Sequence, residues 1–477
     1  MMAPGVRLPR SLVPSVALPL SVVLFSASGA AFITQFSPLV GFAVTALFAV
    51  VVLSFISVDF GLYVLIISML LGPEILVGNL GAGSTAGRGI TLRPEDFLLS
   101  TICVVWLARG AVVKDLGLLR ATPLNRPIFA YTVIVILCTL WGIITGRVRP
   151  LVGAFFALKY IQYFVLYFMV VNYCRDRAHA YNLLLALLIT CALACLYGFT
   201  QIPSGERVSA PFEGESGEPN TFGGYLVLMC AVITSFLLSL PQPKVRLLLC
   251  ALGGMVLINL AATLSRSSYL AMIAFLGMLI TLSEKRIPIV IALLFSAMLF
   301  LVVAPRSVVE RITFTWSQQE TSGQIHVGRL RLDTSTSDRL QSWKEVWTQD
   351  WFNHPLLGYG VTGYRFLDAQ YPRVVAETGL AGFVVFLWLL GSIFHLGLER
   401  YRTTRDPFLR AVSLGFLTGY VGLLAHAIGA NTFIIVRIME PFWLLAGIVT
   451  MIPALETAPA QPEPEASLSV RYRNSAR

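Results

Sequence analysis

Charge is scarce in this sequence. Only 13% of its 477 residues are Asp, Glu, Lys or Arg, about half of what a soluble chain of this length carries. Water is thereby excluded as the main solvent, because 56% of the residues are hydrophobic and the mean hydropathy is +0.76. Cysteine is sparse too. The seven present (Cys103, Cys138, Cys174, Cys191, Cys195, Cys230 and Cys250) fall in apolar runs or at their cytoplasmic edges, so a disulfide framework is not expected. Cys191 and Cys195 share a helix face but lack the His or further Cys that a zinc site needs, and they read as small apolar filler. No internal repeat of the kind that marks many secondary transporters is visible. No outward segment holds a carboxylate or histidine cluster suited to a divalent ion, so neither a metal nor another cofactor is expected.

What is present is a succession of apolar runs, each long enough to cross about 30 Å of hydrocarbon. They lie near 16–34, 39–57, 60–78, 97–113, 128–146, 154–173, 181–199, 221–241, 247–264, 269–282, 288–304, 377–398, 408–428 and 434–452. The runs 97–113 and 269–282 are short or interrupted, so the expected fold is an all-α polytopic membrane protein of about 12 to 14 transmembrane helices. Lys and Arg are retained on the cytoplasmic side. Placing both chain ends inside puts about 19 cations in cytoplasmic segments against about 6 in short outer loops. The formal charge of +10 is therefore topology information, and nucleic-acid binding is a poor reading of it. Arg7 and Arg10 before an apolar stretch ending Ala27-Ser28-Gly29-Ala30 also fit a cleavable signal; an uncleaved first span is preferred, and the downstream sidedness is the same either way.

This organisation divides the chain into a transmembrane bundle at 1–304, a large outer loop at 305–376, three closing helices at 377–452 and a Pro/Glu-rich tail at 453–477. On parity, Gly78 to Asp96, Thr200 to Asn220 and the turn Ser265 to Ser268 face the same side as the large loop. Any active face is expected there. Within the loop, Asp338 with Gln341 can cap a helix whose Leu340, Trp343, Val346, Trp347 and Trp351 form one stripe. That helix either lies along the membrane surface with its indoles among headgroups or packs against the bundle. Asn353-His354-Pro355 ends it.

Charge in a short outer loop needs a reason. Arg266 sits in Thr263-Leu264-Ser265-Arg266-Ser267-Ser268, where an anion site competes with simple snorkelling to lipid phosphate. Arg207 shares a loop with Glu213, Glu215, Glu218 and Asn220, and two guanidinium forks neutralise a departing diphosphate. The glutamates are acid or base candidates or solvated loop charges. Gly358-Tyr359-Gly360 lacks a preceding strand, the lysine and the hydroxyl of a phosphate loop, so it shapes a turn. Asp368 places a carboxylate near the outer surface. Arg437 and Glu440, one turn apart in the last span, read as an internal ion pair with His426 and Asn431 as partners.

Together these pieces resemble the O-antigen ligase and polysaccharide polymerase superfamily of bacterial inner membranes, over roughly residues 120 to 450. The most specific stretch is Asp338-Arg339-Leu340 through Trp343, then His354-Pro355-Leu356-Leu357-Gly358-Tyr359-Gly360, then Glu377-Thr378-Gly379-Leu380-Ala381-Gly382. Supporting matches are Leu158-Lys159-Tyr160-Ile161-Gln162-Tyr163, Arg207 through Asn220, Ser265-Arg266, and Arg437 through Trp443. The resemblance implies a GT-C-like helical fold and a periplasmic active face. It also implies transfer of undecaprenyl-diphosphate-linked glycan to a polysaccharide or lipid acceptor, with membrane lipids and other polysaccharide-assembly proteins as partners.

On that resemblance an acceptor hydroxyl attacks the anomeric carbon with inversion. Arg207 and Arg266 take the diphosphate and Asp368 serves at the acceptor, while Glu218, Asn220, Ser265, Arg339 and His354 bind substrate. Family ligases usually carry a His-Asn pair about nine residues before the Glu of the span-opening motif; here the positions read Asp368 and Ala369. An aspartate accepts a proton but does not reproduce an imidazole. The departure favours polymerases and ligases of other surface polysaccharides over transfer to lipid A. Two other readings stay open: a transporter or flippase of lipid-linked glycan, and a structural scaffold. Polar residues gathered at one face favour transfer chemistry, with Lys159 and Arg437 as exceptions.

Overall fold

The structure, a computed structural model, describes residues 38–72, 75–76, 91–92, 94–113, 120–213, 217–240, 242–287, 289–291, 313–314, 318, 324, 326–327, 330–331 and 333–457. Its helices are α1 (Pro38–Ile56), α2 (Val58–Leu71), α3 (Pro94–Val113), α4 (Asn125–Ile144), α5 (Pro150–Tyr173), α6 (Arg177–Gln201), α7 (Pro219–Ser239), α8 (Pro243–Ala262) and α9 (Arg266–Leu282). After the loop come α10 (Thr334–Glu345), α11 (Gln370–Thr403), α12 (Pro407–His426) and α13 (Val436–Thr457). Among the described residues eight helices are long and apolar enough to span a bilayer, and α1, α2, α3 and α9 contribute shorter apolar helices. The protein is thus an all-α multi-pass membrane protein. The expected runs 16–34 and most of 288–304 lie outside the described residues, as do the tail beyond Thr457 and most of Gly78 to Asp96; the first five tail residues continue the last helix. Two-residue antiparallel pairs, Ile75–Leu76 with Thr91–Leu92 and His326–Val327 with Leu330–Arg331, are the extended elements among the described residues.

The sequence starts its helices with recognisable signals. Pro150, Pro219, Pro243 and Pro407 occupy first-turn positions, where a missing N–H costs nothing. Asp176, Ser265 and Asp406 cap with their side chains. Helices α7 and α13 form the centre, with 83% and 89% of their apolar windows buried, whereas α8 is peripheral at 22%. Gly415 and Gly419 of α12 let its backbone approach α7: an added Cβ would lie 2.6 Å from Ser235 Oγ and 2.8 Å from Leu228 Cδ1. Small residues at such crossings replace the hydrophobic drive that lipid cannot supply.

One expectation for the large loop changes, and of the two readings of its stripe the structure has the one packed against the bundle. The loop helix begins at Thr334 with Asp333 as its N-cap residue, so Asp338 lies within the first turns and does not cap it. The stripe packs inward: Val346 is fully buried with Leu367, Val375 and Ala376, and Trp347, Trp351 and Phe383 close over this cluster. Trp351 Nε1 donates to the Pro355 carbonyl at 2.9 Å, and only Leu340 of the stripe is largely exposed. A continuous helical turn through Val346–Asp350 carries the element to Asn353, where the residue before Pro355 leaves helical angles as expected.

Candidate functional site

The loops after α6 and α8 meet at one end of the bundle. Val208 N donates to the Ala262 carbonyl at 3.1 Å, which lays the Arg207 loop along the Thr263–Ser265 turn. Arg207 then reaches the carbonyls of Thr263 (Nε, 3.0 Å) and Leu264 (Nη2, 3.4 Å). Leu264 holds φ at +50°, a strained turn residue immediately before the cap of α9. Arg207 and Arg266 therefore flank one turn on one end of the molecule.

Arg266 is held differently. Its two terminal nitrogens fork onto both oxygens of Asp333, each at 2.7 Å, and Asp333 is 1% exposed. Burial alone would raise the Asp333 carboxyl, but bonds from Arg266 and Thr336 outweigh it and hold the group below its usual 3.8. A depressed folded value contributes stability above the unfolded value and loses it as the pH falls through the folded one. Asp333→Asn is accordingly expected to melt below wild type near neutral pH, with the gap closing as the pH falls below 3.8; melting in detergent across that range measures it.

Six residues on, the same helix presents Arg339, which bonds Asp368 Oδ2 at 2.8 Å. Helix α10 is thus strapped at its N-terminus to α9 and at its second turn to the segment before α11. Asp368 in turn lines a cavity of about 170 Å³ together with Glu218, Asn220, Lys159, Arg373 and Asn431, backed by Phe156, Ile434, Ile435 and Val436. Its lining mixes cations, carboxylates and amides with apolar side chains. Such a site suits a ligand with a charged head on an apolar body.

Of the residues expected from sequence, the structure brings Glu218, Asn220 and Asp368 to this cavity and ties Ser265 to it, since Ser265 Oγ donates to Asn220 Oδ1 at 2.7 Å. Arg339 joins through Asp368. His354 is placed elsewhere, its ring edge-on to Tyr359 at 4.5 Å; burial, then Arg147, pushes its pKa down. The sequence reading left Lys159 and Arg373 out of the site. Arg373 had a usable signal, its i,i+4 spacing to Glu377, which it bonds at 3.0 Å. Glu377 also accepts from Tyr160 and from the Thr362 amide. Arg437 reaches Glu213 at 3.2 Å and the carbonyls of Pro211 and Gly72, so this buried cation clamps the Arg207 loop to α13. Its expected helpers bond elsewhere, His426 with Thr432 and Ser268, and Asn431 with the Leu367 carbonyl.

The two glycine-bearing motifs are one device. Tyr359 N and Gly360 N donate to the carbonyls of Ala376 and Glu377, while Leu380 N and Ala381 N donate to those of Pro355 and Leu356. Gly358 has φ +65° and Gly379 has φ +63° with ψ −166°, conformations that glycine alone adopts cheaply. Gly379 breaks α11 between a short buried segment from Gln370 and the span proper, so the span opens two residues later than expected. The break exposes backbone groups, and the Pro355–Gly360 turn satisfies them.

Among the described residues, no group of three or more His, Cys, Asp or Glu is placed to hold a metal ion. Fold and site together define a multi-pass membrane protein with a charged cleft beside the meeting loops of its bundle. Residues 251–387 match the family model for O-antigen ligase. The matched segment includes Arg266, Asp333, Asp368 and both glycine motifs, and it leaves Lys159, Arg207 and Arg437 outside. No curated protein matches the chain. The family points to a glycosyl-transferring membrane enzyme.

Proposed function

We propose that this protein transfers or polymerises glycan from undecaprenyl diphosphate on the periplasmic face of the bacterial inner membrane, in the synthesis of a surface or extracellular polysaccharide. The observation that carries the reading is the cavity where Asp368, Glu218 and Asn220 meet Lys159 and Arg373 beside the turn flanked by Arg207 and Arg266. A diphosphate ester is already an activated leaving group, so the enzyme's work is positioning and placing positive charge where departing oxygens gain it.

In the reaction the acceptor hydroxyl oxygen forms a bond to the anomeric carbon on the face opposite the diphosphate. The bond from that carbon to the phosphate oxygen breaks, and its electron pair leaves with undecaprenyl diphosphate. Arg207 and Arg266 stabilise the leaving group. Asp368, held through Oδ2 by Arg339, takes the hydroxyl proton on Oδ1. Ser265, Asn220 and Glu218 orient substrate at the cavity. An acidic residue at this position favours an acceptor other than lipid A.

The test is purified protein in proteoliposomes with undecaprenyl-diphosphate glycan and a hydroxyl acceptor. The expected result is a new glycosidic bond with release of undecaprenyl diphosphate in equal amount. Movement of intact lipid-linked glycan across the bilayer with no change of linkage would instead establish a flippase.

A further inference from the structure

Behind Asn220 runs a buried chain of hydrogen bonds with a fixed direction. Ser265 Oγ lies 2.7 Å from Asn220 Oδ1, an atom that only accepts, so the single Ser265 proton is spent there. The Ser268 hydroxyl, 2.8 Å from Ser265 Oγ, must then donate to it. With that proton committed, Ser268 Oγ receives from His426 Nε2 at 3.3 Å, which sets the tautomer with hydrogen on Nε2. His426 Nδ1 is left to accept from Thr432, whose Oγ1 lies 2.8 Å from it against 3.5 Å from the Ala430 carbonyl. Ser265, Ser268, His426 and Thr432 are all fully buried, so water does not scramble the order.

We infer that this chain locks the Asn220 side chain with its oxygen turned back into the protein and its amide NH2 presented to the cavity, as a two-proton donor for a phosphate oxygen of the lipid diphosphate. His426, Ser268 and Ser265 are positioning residues for that donor. Lys159 and Arg373 in the same cavity favour phosphate over a neutral sugar oxygen as the acceptor. A neutral donor fixed by a buried chain adds direction that flexible cations lack, because it is preorganised before substrate arrives. The inference rests on the transferase reading above and adds a residue role to it.

Asn220→Asp separates the donor role from a structural one. The carboxylate keeps the acceptor oxygen that Ser265 needs but replaces the NH2 by an oxygen and adds a negative charge. Asn220→Leu, which removes the donor without adding charge, is therefore measured beside it and should show a comparable loss of binding. Binding of sugar-free undecaprenyl diphosphate in detergent and transfer kinetics are both measured, with melting temperature as the check on folding. The expected result is at least about 10-fold weaker binding of the bare lipid and a loss of about 100-fold in kcat/KM, with melting close to wild type. His426→Leu should raise KM for the lipid-linked glycan several-fold at nearly unchanged kcat, and His426→Gln, which restores a donor to Ser268, should recover part of it. Wild-type binding of the bare lipid by Asn220→Asp would overturn the inference, whether or not glycan transfer falls. That outcome is distinct from failure of the transferase reading, in which the wild-type protein itself forms no glycosidic bond.

Discussion

Arg266→Ala is expected to reduce glycan transfer by about 100- to 1,000-fold, the loss typical of one preorganised group at a developing negative charge. The same change leaves Asp333 buried without its fork, which costs about 3 kcal/mol of stability. The two effects are separable because they have different remedies. Arg266→Ala combined with Asp333→Ala removes the stranded carboxylate and should recover most of the melting temperature while transfer stays lost. Arg266→Lys keeps a charge but loses the two-pronged geometry on Asp333, so it should melt between wild type and Arg266→Ala. If the paired substitution restored transfer along with stability, Arg266 would be a strut for helix α10 and nothing more. The arrangement serves both ends: Asp333 fixes the guanidinium in one orientation, and a side chain fixed in advance loses little entropy when a diphosphate arrives.

The second large effect is expected at Gly379. A Cβ there would lie 2.4 Å from the Leu356 carbonyl carbon and oxygen, and its φ and ψ belong to a region nearly closed to other residues. Both penalties act on backbone, which cannot swing aside as a flexible side chain can. Gly379→Ala should cost about 3 kcal/mol or more and uncouple the Pro355–Gly360 turn from the start of α11. Transfer should fall with it, because Asp368 and Arg373 sit on the segment this junction holds. Gly391, farther along the same helix, has open space where its Cβ would be. Gly391→Ala should leave melting and transfer near wild type, which makes it the control. Melting curves of the two variants in the same detergent decide the matter.

The sequence carried much of this plan and concealed part of it for identifiable reasons. Spanning helices are legible because a bilayer demands long apolar runs and leaves few alternatives. The turn at Gly358 and the end of the loop helix at His354 are legible because glycine and proline act locally. Gly379 was visible as part of a motif, but its purpose depends on backbone bonds to a turn some twenty residues earlier. The Arg266–Asp333 fork joins distant segments by no periodic rule, and nothing near Asp333 marks it more strongly than Asp338, whose spacing to Gln341 imitates a helix start. Arg437 has Glu440 as its helical neighbour, and the fold also brings Glu213 to it from the Arg207 loop, a partner that no helical spacing announces. Lys159 stood inside an apolar run, where a single cation reads as a structural oddity until the fold opens a cavity beside it, and Arg373 stood in the large outer loop, where one cation among many polar residues draws no notice.

The hydroxyl chain behind Asn220 was hidden for a further reason. Ser265, Ser268, His426 and Thr432 come from two helix ends, and their order depends on which atom holds each proton. Sequence spacing carries no information of that kind.

The account depends on Arg207 and Arg266 gripping the same lipid diphosphate. Undecaprenyl diphosphate affinity of wild type, Arg207→Ala, Arg266→Ala and the double variant measures this directly, because two groups on one ligand must show coupled losses. The expected result is at least about 10-fold weaker binding in each single variant and a double variant whose loss departs from their sum. Affinities equal to wild type in both single variants would contradict it.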